Sequence, residues 1–128
     1  MNKQFKPDGY NSVSPYIMVD DPKRFMDMLL QIFDAKEMRK FVRADGSIMH
    51  AEIQVDDSII MLAEANDKYP SYQLWLHIYV QDVDAVFDKA VRYGCEVVER
   101  PVQKDGDHDR RGTFKDFAGN YWAVGTQL

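Results

Sequence analysis

The sequence predicts an α+β fold of two βαβββ modules, whose mixed sheets form an incomplete, barrel-like cleft. Short runs in which apolar and polar residues alternate predict strands, and two runs with apolar residues at helical spacing predict helices. The same order of one strand, one helix and three strands occurs twice, offset by about sixty residues. Each module leaves one sheet face without a helix. We therefore expect the other module, or a second copy of the chain, to cover that face.

The first module is predicted over about residues 12–65 of a single 128-residue domain. Asp21 is a good helix N-cap and Pro22 a favourable first helical residue, so we expect a helix over 21–34. Pro15 cannot donate to a ladder, which indicates an edge position for the first strand. The alternating runs place strands at 13–19, 38–44, 48–55 and 58–64.

The second module is predicted over about residues 73–128, after a linker at about 65–72. Asp82 caps its helix and Gly94 ends it, since glycine is the usual residue at a helix C-terminus. The predicted strands are 74–80, 95–103, 111–116 and 120–126. The sequences Asp105-Gly106 and Gly119-Asn120 are typical of the turns between them.

Composition excludes several classes of protein. The chain has 16 Lys and Arg against 21 Asp and Glu, a formal net charge of −5, and no basic face, so nucleic acid is not an expected partner. No apolar run is long enough for a membrane span, so no membrane partner is expected. Cys95 is the only cysteine and the first nine residues are polar, so we expect no internal disulfide, no signal peptide and a cytoplasmic location.

Motifs along nearly the whole chain carry a family resemblance. They are 14–21 (SPYIMVDD), 50–53 (HAEI), 60–63 (IMLA), 76–84 (LHIYVQDVD), 111–113 (RGT) and 116–122 (DFAGNYW). In order and spacing they resemble the vicinal oxygen chelate superfamily, which includes glyoxalases, bleomycin-resistance proteins and extradiol dioxygenases. The chain is most similar to its phosphonate-operon-associated, glyoxalase-like subgroup. One departure is Phe117, where the family usually has proline.

The resemblance implies a divalent metal held by side chains from four strands. The corresponding positions here are Ser14, Met61, Trp75 and Ala123. Tryptophan and alanine offer no ligand atom, and neutral serine and methionine are poor ligands for the ions this family uses. A one-residue slip in alignment would place each residue on the opposite strand face. We therefore expect the usual metal site to be absent and no cofactor to be bound.

A second polar cluster remains after those positions are set aside. His50, Glu52 and Gln54 share one strand face by the period of two, and Trp75, His77 and Tyr79 share another. His50, Glu52 and His77 are therefore candidate catalytic residues, as a relocated metal site or a general acid–base pair. The alternative, which we favour, is that they are ordinary polar residues on a half-solvated strand face.

Aromatic residues suggest a different role for the same faces. Tyr16, Trp75, Tyr79 and Tyr121 would lie on the sheet faces opposite the helices, as in an aromatic-lined small-molecule pocket or a dimer interface. Arg110 or Arg111 could also clamp an anionic ligand, although a charged, solvated turn is the commoner arrangement. The predicted ligand-binding residues are Tyr16, Met18, Gln54, Met61, Trp75, Tyr79, Tyr121 and Arg111.

Three functions remain open, and enzymatic activity is left undecided. The first is a homodimer that binds a hydrophobic or aromatic small molecule in a cleft, as in the bleomycin-resistance branch. The second is a metal-dependent lyase, isomerase or dioxygenase that uses the relocated cluster. The third is a structural dimer with a vestigial site. The missing ligands and the aromatic faces favour the first.

Overall fold

The computed structural model describes residues 4–128 and divides into two compact units. The first unit ends at Ser71 and the second is Tyr72–Leu128. The elements of the first unit are β1 (Tyr16–Val19), α1 (Pro22–Phe33), β2 (Lys36–Val42), β3 (Ile48–Val55) and β4 (Ser58–Glu64). Those of the second are β5 (Trp75–Tyr79), α2 (Val83–Tyr93), β6 (Glu96–Val102), β7 (Asp109–Lys115) and β8 (Tyr121–Gln127). The predicted α+β class with two βαβββ modules is confirmed.

Each unit contains one four-stranded mixed sheet. The strand orders are β1-β4-β3-β2 and β5-β8-β7-β6. The first and last strands of each module pair in parallel, and the other pairs are antiparallel. In the first sheet β1 ends the strand order, so the edge position that Pro15 indicated is correct. The carbonyl of Pro15 still accepts a hydrogen bond from Met61.

Three strands are displaced from the prediction by two residues or more. Strand β2 covers Lys36–Val42 instead of 38–44. The starts of the other two strands differ for identifiable reasons. Strand β1 begins at Tyr16 instead of residue 13, because Pro15 lacks the N–H that a ladder needs. Strand β7 begins at Asp109 instead of residue 111, and Asp109 pairs with Gln127. The first two residues of β7, Asp109 and Arg110, are both charged, so the alternation of apolar and polar residues does not extend to them.

Helix α1 supplies the core of the first unit. Asp21 accepts a hydrogen bond from the backbone N–H of Arg24, which caps the helix as predicted. The apolar stripe of the helix packs against one face of the first sheet. The buried side chains include Ile17, Phe25, Met28, Leu29, Ile32, Ile53 and Leu62.

The core of the second unit lies between α2 and β7–β8. Phe87 of α2 meets Phe114 edge-on, and Phe114 stacks on Trp122 with ring centroids 6.3 Å apart. Gly112 permits this packing, since a Cβ there would lie 2.9 Å from the backbone nitrogen of Pro101 and 3.1 Å from the Phe87 ring. A side chain at residue 112 would therefore displace the helix or the neighbouring strand.

Asp116 organises the turn between β7 and β8. Its buried carboxylate accepts hydrogen bonds from the backbone N–H groups of Ala118 and Asn120 and from the indole Nε1–H of Trp122. The side-chain oxygen of Asn120 accepts a further bond from the N–H of Leu74. The 116–122 motif is thus a structural turn, and it forms with Phe117 in place of the family's proline.

Candidate functional sites

An aromatic face lies on the side of the second sheet opposite α2. The parallel ladder sets Trp75 beside Tyr121, His77 beside Ala123, and Tyr79 beside Gly125. The Trp75 and Tyr121 rings stack with centroids 4.6 Å apart and planes 11° apart. Trp75 remains 68% exposed and Tyr79 57% exposed. We call the surface formed by Trp75, Tyr121, His77 and Tyr79 the aromatic face.

The predicted catalytic residue His77 lies in the middle of this face. It is exposed, and its ring meets Tyr79 edge-on at a centroid distance of 4.7 Å. Its ladder neighbour Ala123 carries only a methyl group. The His77 ring reaches over Gly125, where a Cβ would lie 3.7 Å from its Nε2 atom.

Hydrogen bonds fix one end of the aromatic face. The Tyr79 hydroxyl donates to the buried carboxylate of Asp109 at 2.7 Å, and the Arg111 guanidinium donates to the same carboxylate oxygen at 2.8 Å. The hydrogen bond to Asp109 is the main reason that the pKa of Tyr79 is raised. Asp107 lies 3.6 Å from Arg111 as a second anionic partner. Arg111 thus anchors Tyr79 through Asp109.

Both arginines of the suggested anion clamp are already paired with carboxylates. Arg110 forms a two-pronged ion pair with Asp84, with both N···O distances at 2.9 Å. Arg111 is engaged by Asp107 and Asp109. An anionic ligand would have to displace a carboxylate from either guanidinium, so this arrangement favours the solvated-turn interpretation.

The first sheet carries a polar row on its face opposite α1. Tyr16 pairs with Met61 across β1 and β4, and Met61 pairs with Glu52 across β4 and β3. These three predicted site residues therefore lie side by side across three strands. Gln54 pairs with Ile59 one step along the same face and is partly exposed.

A chain of hydrogen bonds crosses this row. Glu52, which is 5% exposed, accepts a bond from the Tyr10 hydroxyl, and its other oxygen lies 2.8 Å from Nε2 of His50. Nδ1 of His50 lies 2.8 Å from the Tyr16 hydroxyl. We call this chain of Tyr10, Glu52, His50 and Tyr16 the relay. It brings together two of the three candidate catalytic residues, His50 and Glu52.

The buried carboxylate at the centre of the relay is held in its charged form. Burial raises the pKa of Glu52, but the hydrogen bonds from Tyr10 and His50 and the nearby Arg39 outweigh burial and leave that pKa below its usual range. The Arg39 Nε atom is 3.9 Å from the carboxylate. The pKa of Tyr10 is raised, first by burial and then by its bond to Glu52.

A pocket of about 320 Å³ opens beside Tyr16 in the first unit. Met18 follows Tyr16 on the same face of β1 and also lines the pocket. The linker contributes Tyr69, and an ion pair between Arg43 and Glu64 borders the opening with an N···O distance of 2.9 Å. Its volume is at the small end of the range for ligand pockets.

The residues that the resemblance assigns to the family's four metal positions include two that do not suit a metal. Within the second sheet, Trp75 stacks on Tyr121, and Ala123, the residue assigned to the last-strand position, pairs with His77. Neither Trp75 nor Ala123 carries a ligand atom. In the part of the chain that the structure describes, no group of three or more His, Cys, Asp or Glu side chains is placed to hold a metal ion.

Sequence reasoning missed three residues that shape these faces. Tyr10 precedes the predicted first module, so no strand pattern drew attention to it. Arg39 was an unremarkable charge on a strand. Asp109 lies in a charged run, which favoured a solvated turn. In the structure it is 5% exposed and accepts the hydrogen bond that anchors Tyr79. The sequence signal that points to Asp109 is the alternation of β7, when that pattern is extended back to residue 109.

Comparison with known proteins identifies the class. Residues 9–124 match the family described as the glyoxalase/bleomycin resistance protein/dioxygenase superfamily. The chain belongs to this superfamily, which confirms the resemblance seen in its motifs. It is also 29% identical over 128 aligned residues to an uncharacterised protein of Mycobacterium bovis, Mb0911c, covering 89% of this chain and 82% of that protein.

Solved structures share the fold at low sequence identity. TioX from Micromonospora sp. ML1 has a TM-score of 0.74 at 22% identity, covering 91% of this chain and all of that one, 100%. TnmS3, an antibiotic binding protein from Streptomyces sp. CB03234, has a TM-score of 0.70 at 17% identity, covering 93% and 100%. The fosfomycin resistance protein FosX from Listeria monocytogenes has a TM-score of 0.66 at 14% identity, covering 92% and 93%.

Proposed function

We propose that this protein binds a hydrophobic or aromatic small molecule without the family's metal. The observation that supports the proposal most directly is the exposed stack of Trp75 on Tyr121. A tryptophan that is 68% exposed and held rigidly against a second ring offers a flat surface on which a planar ligand can stack. Large exposed apolar groups on a sheet face commonly mark a binding surface.

The surroundings of the stack suit a planar ligand with a polar edge. The Lys115 ammonium lies 5.5 Å from the centroid of the Tyr121 ring. His77 adds an exposed imidazole, and Tyr79 is fixed by Asp109. Apolar walls with a few oriented polar groups are the usual composition of a small-molecule site. The described function of TnmS3 as an antibiotic binding protein is consistent with such a role in this fold.

The metal-dependent alternative has less support. The four family positions offer no ligand set, and both ring nitrogens of His50 already have partners in Glu52 and Tyr16. To act on a substrate directly, Nδ1 of His50 would first have to release the Tyr16 hydroxyl. We therefore propose binding ahead of catalysis, and we keep the relocated use of His50, Glu52 and His77 as the alternative enzyme hypothesis. A structural dimer with a vestigial site is the third candidate.

The proposal includes a homodimer in the cytoplasm. An exposed aromatic sheet face is a surface that a second copy can cover, and aromatic residues are enriched at such interfaces. Neither helix in residues 4–128 is long and apolar enough to cross a membrane. The single cysteine suits a reducing compartment.

Quenching of tryptophan fluorescence tests the binding proposal. The chain has two tryptophans, and only Trp75 is exposed, since Trp122 is 1% exposed. Titration with acridine, a planar aromatic probe, is expected to quench Trp75. Calorimetric titration, which does not depend on that fluorophore, compares the variants, and Trp75→Ala should bind acridine about tenfold or more weakly. Tyr72→Ala, which removes another exposed ring of the second unit, is the matched control and should bind normally. Equal binding by wild type and Trp75→Ala would refute the proposal.

A further inference from the structure

The relay in the first unit fixes the direction of a hydrogen bond at the pocket beside Tyr16. The Glu52 carboxylate can only accept hydrogen bonds, so the His50 nitrogen that faces it, Nε2, carries a proton. A neutral imidazole carries one proton, which leaves Nδ1 as an acceptor. While His50 is neutral, the Tyr16 hydroxyl, 2.8 Å from Nδ1, therefore donates its proton to His50.

The consequence concerns what Tyr16 presents to a ligand. A phenolic hydroxyl has one proton and two lone pairs. With that proton donated to a neutral His50 ring, the hydroxyl offers only lone pairs to other groups. Tyr16 is 44% exposed and lines the pocket of about 320 Å³, so a ligand in the pocket would lie against the residue that carries these lone pairs. A tyrosine without such a partner could either donate or accept.

The rest of the relay keeps this direction fixed. Glu52 is 5% exposed and has hydrogen-bond partners on both oxygens, Tyr10 and His50. Rotation of this carboxylate away from the imidazole would break a buried hydrogen bond, which is unfavourable. His50 is itself held between the Tyr16 and Phe41 rings, at centroid distances of 5.4 and 5.9 Å.

The pocket walls indicate the chemical class of the ligand. Met18, Met49, Ala63 and Tyr69 provide apolar surface, and the one charged pair at the opening, Arg43 with Glu64, is mutually neutralised. We propose that this pocket binds a neutral molecule with a compact apolar body and an O–H or N–H group, which donates a hydrogen bond to Tyr16. This inference rests on the first unit alone and requires no ring stacking.

A pair of non-aromatic probes tests the inference without involving the aromatic face. Cyclohexylmethanol can donate a hydrogen bond, whereas its methyl ether has a similar body and cannot. Binding is followed by NMR of methyl-labelled methionines, with shifts expected at Met18 and Met49 of the pocket. The buried Met26 and Met28 of α1 serve as internal references. The alcohol should bind about fivefold more tightly than the ether, the usual effect of one hydrogen bond.

Variants of the relay separate this preference from simple pocket filling. Tyr16→Phe should remove the preference for the alcohol, because it keeps the ring and loses the acceptor. His50→Ala should also reduce it, since the freed Tyr16 hydroxyl could then donate to the ether oxygen. Tyr69→Phe removes another hydroxyl from the same pocket and should retain the ratio of affinities, whatever its effect on either affinity alone.

Some results of these experiments would support the hydrogen-bond preference at Tyr16, and others would overturn it. Shifts confined to Met18 and Met49, with an alcohol preference lost in Tyr16→Phe, would support the inference. Equal affinities of the wild type for alcohol and ether, a preference that survives Tyr16→Phe, or no shift at the two methionines would each overturn it. Nitrogen NMR of the neutral His50 ring should in addition find the proton on Nε2, and a proton on Nδ1 would contradict the argument.

Discussion

Trp75 and Tyr121 form a parallel stack, with centroids 4.6 Å apart, because the β5–β8 ladder makes them direct neighbours. Trp75 is exposed and Tyr121 half-buried on one side of the sheet, while the next residue along β8, Trp122, is 1% exposed on the other side. Strand alternation thus separates a tryptophan available to ligands from one that holds the core together. The first prediction uses this contrast.

Substitution of the two tryptophans should affect stability very differently. Trp122→Phe removes part of a buried ring and the hydrogen bond to Asp116, and should lower the free energy of unfolding by about 2–3 kcal/mol. Trp75→Phe should change it by less than about 0.5 kcal/mol, as for most exposed positions. Urea denaturation measures both values. Similar losses in the two variants would contradict the assignment of Trp75 to a surface site.

Alanine substitution of two glycines in the second sheet tests how closely their neighbours pack. Gly112→Ala should cost about 1–3 kcal/mol, because its Cβ would lie 2.9 Å from the Pro101 backbone. In Gly125→Ala the nearest atoms would be 3.7 Å away, an ordinary contact, so the effect should be small. Thermal unfolding of both variants tests the prediction. A Gly112→Ala protein as stable as the wild type would mean that α2 and β7 are packed less tightly.

Acid should destabilise the first unit through Glu52. The pKa of this carboxyl in the folded chain lies below its ordinary value of about 4.5, so its stabilising contribution is complete above about that pH. The contribution is then lost as the pH falls through the lower, folded pKa. The free energy of unfolding, measured by urea denaturation between pH 3 and 7, should therefore decrease toward low pH.

The variant Glu52→Gln tests whether that dependence comes from this residue. It should cost about 1–3 kcal/mol at neutral pH, since a buried hydrogen-bonded charge is removed, and should show a flatter acid limb. Glu64→Gln is the control, because Glu64 forms a half-exposed ion pair with Arg43. An acid limb unchanged in Glu52→Gln would show that other carboxylates cause the pH dependence.

Metal addition should have no effect on the folded protein. Since Trp75 and Ala123 offer no ligand atom, added Zn²⁺, Mn²⁺ or anaerobic Fe²⁺ should leave the melting temperature unchanged. Elemental analysis of protein purified without chelators should find far less than one metal per chain. A stoichiometric metal that is lost in His50→Ala or His77→Ala would instead favour the relocated enzyme site.

Sedimentation equilibrium tests the proposed homodimer. The expected mass is twice the chain mass of 14.9 kDa. A Trp75→Lys change should weaken association if the aromatic face lies in the interface, because it places a charge there. A wild-type protein that remains monomeric at high concentration would rule the dimer out.

The sequence by itself determined the class and order of elements. Alternation placed β3, β4 and β8 within one or two residues, and caps such as Asp21 and Asp82 gave the helix starts, because these signals are local in the chain. The internal repeat and the family motifs required no long-range contact to be recognised. Period-two counting also placed His50 and Glu52 on one face.

Only the tertiary structure decided which of those residues act together. Tyr10 is 42 positions from Glu52 in the chain, and Tyr16 is 34 from His50, so no local pattern links them. Asp109 similarly reaches Tyr79 across 30 positions. Strand register creates these contacts, and register depends on how distant strands pair. The contacts from which we infer the hydrogen-bond direction at Tyr16 arise from that pairing, so the inference needed the fold and could not be made from the sequence.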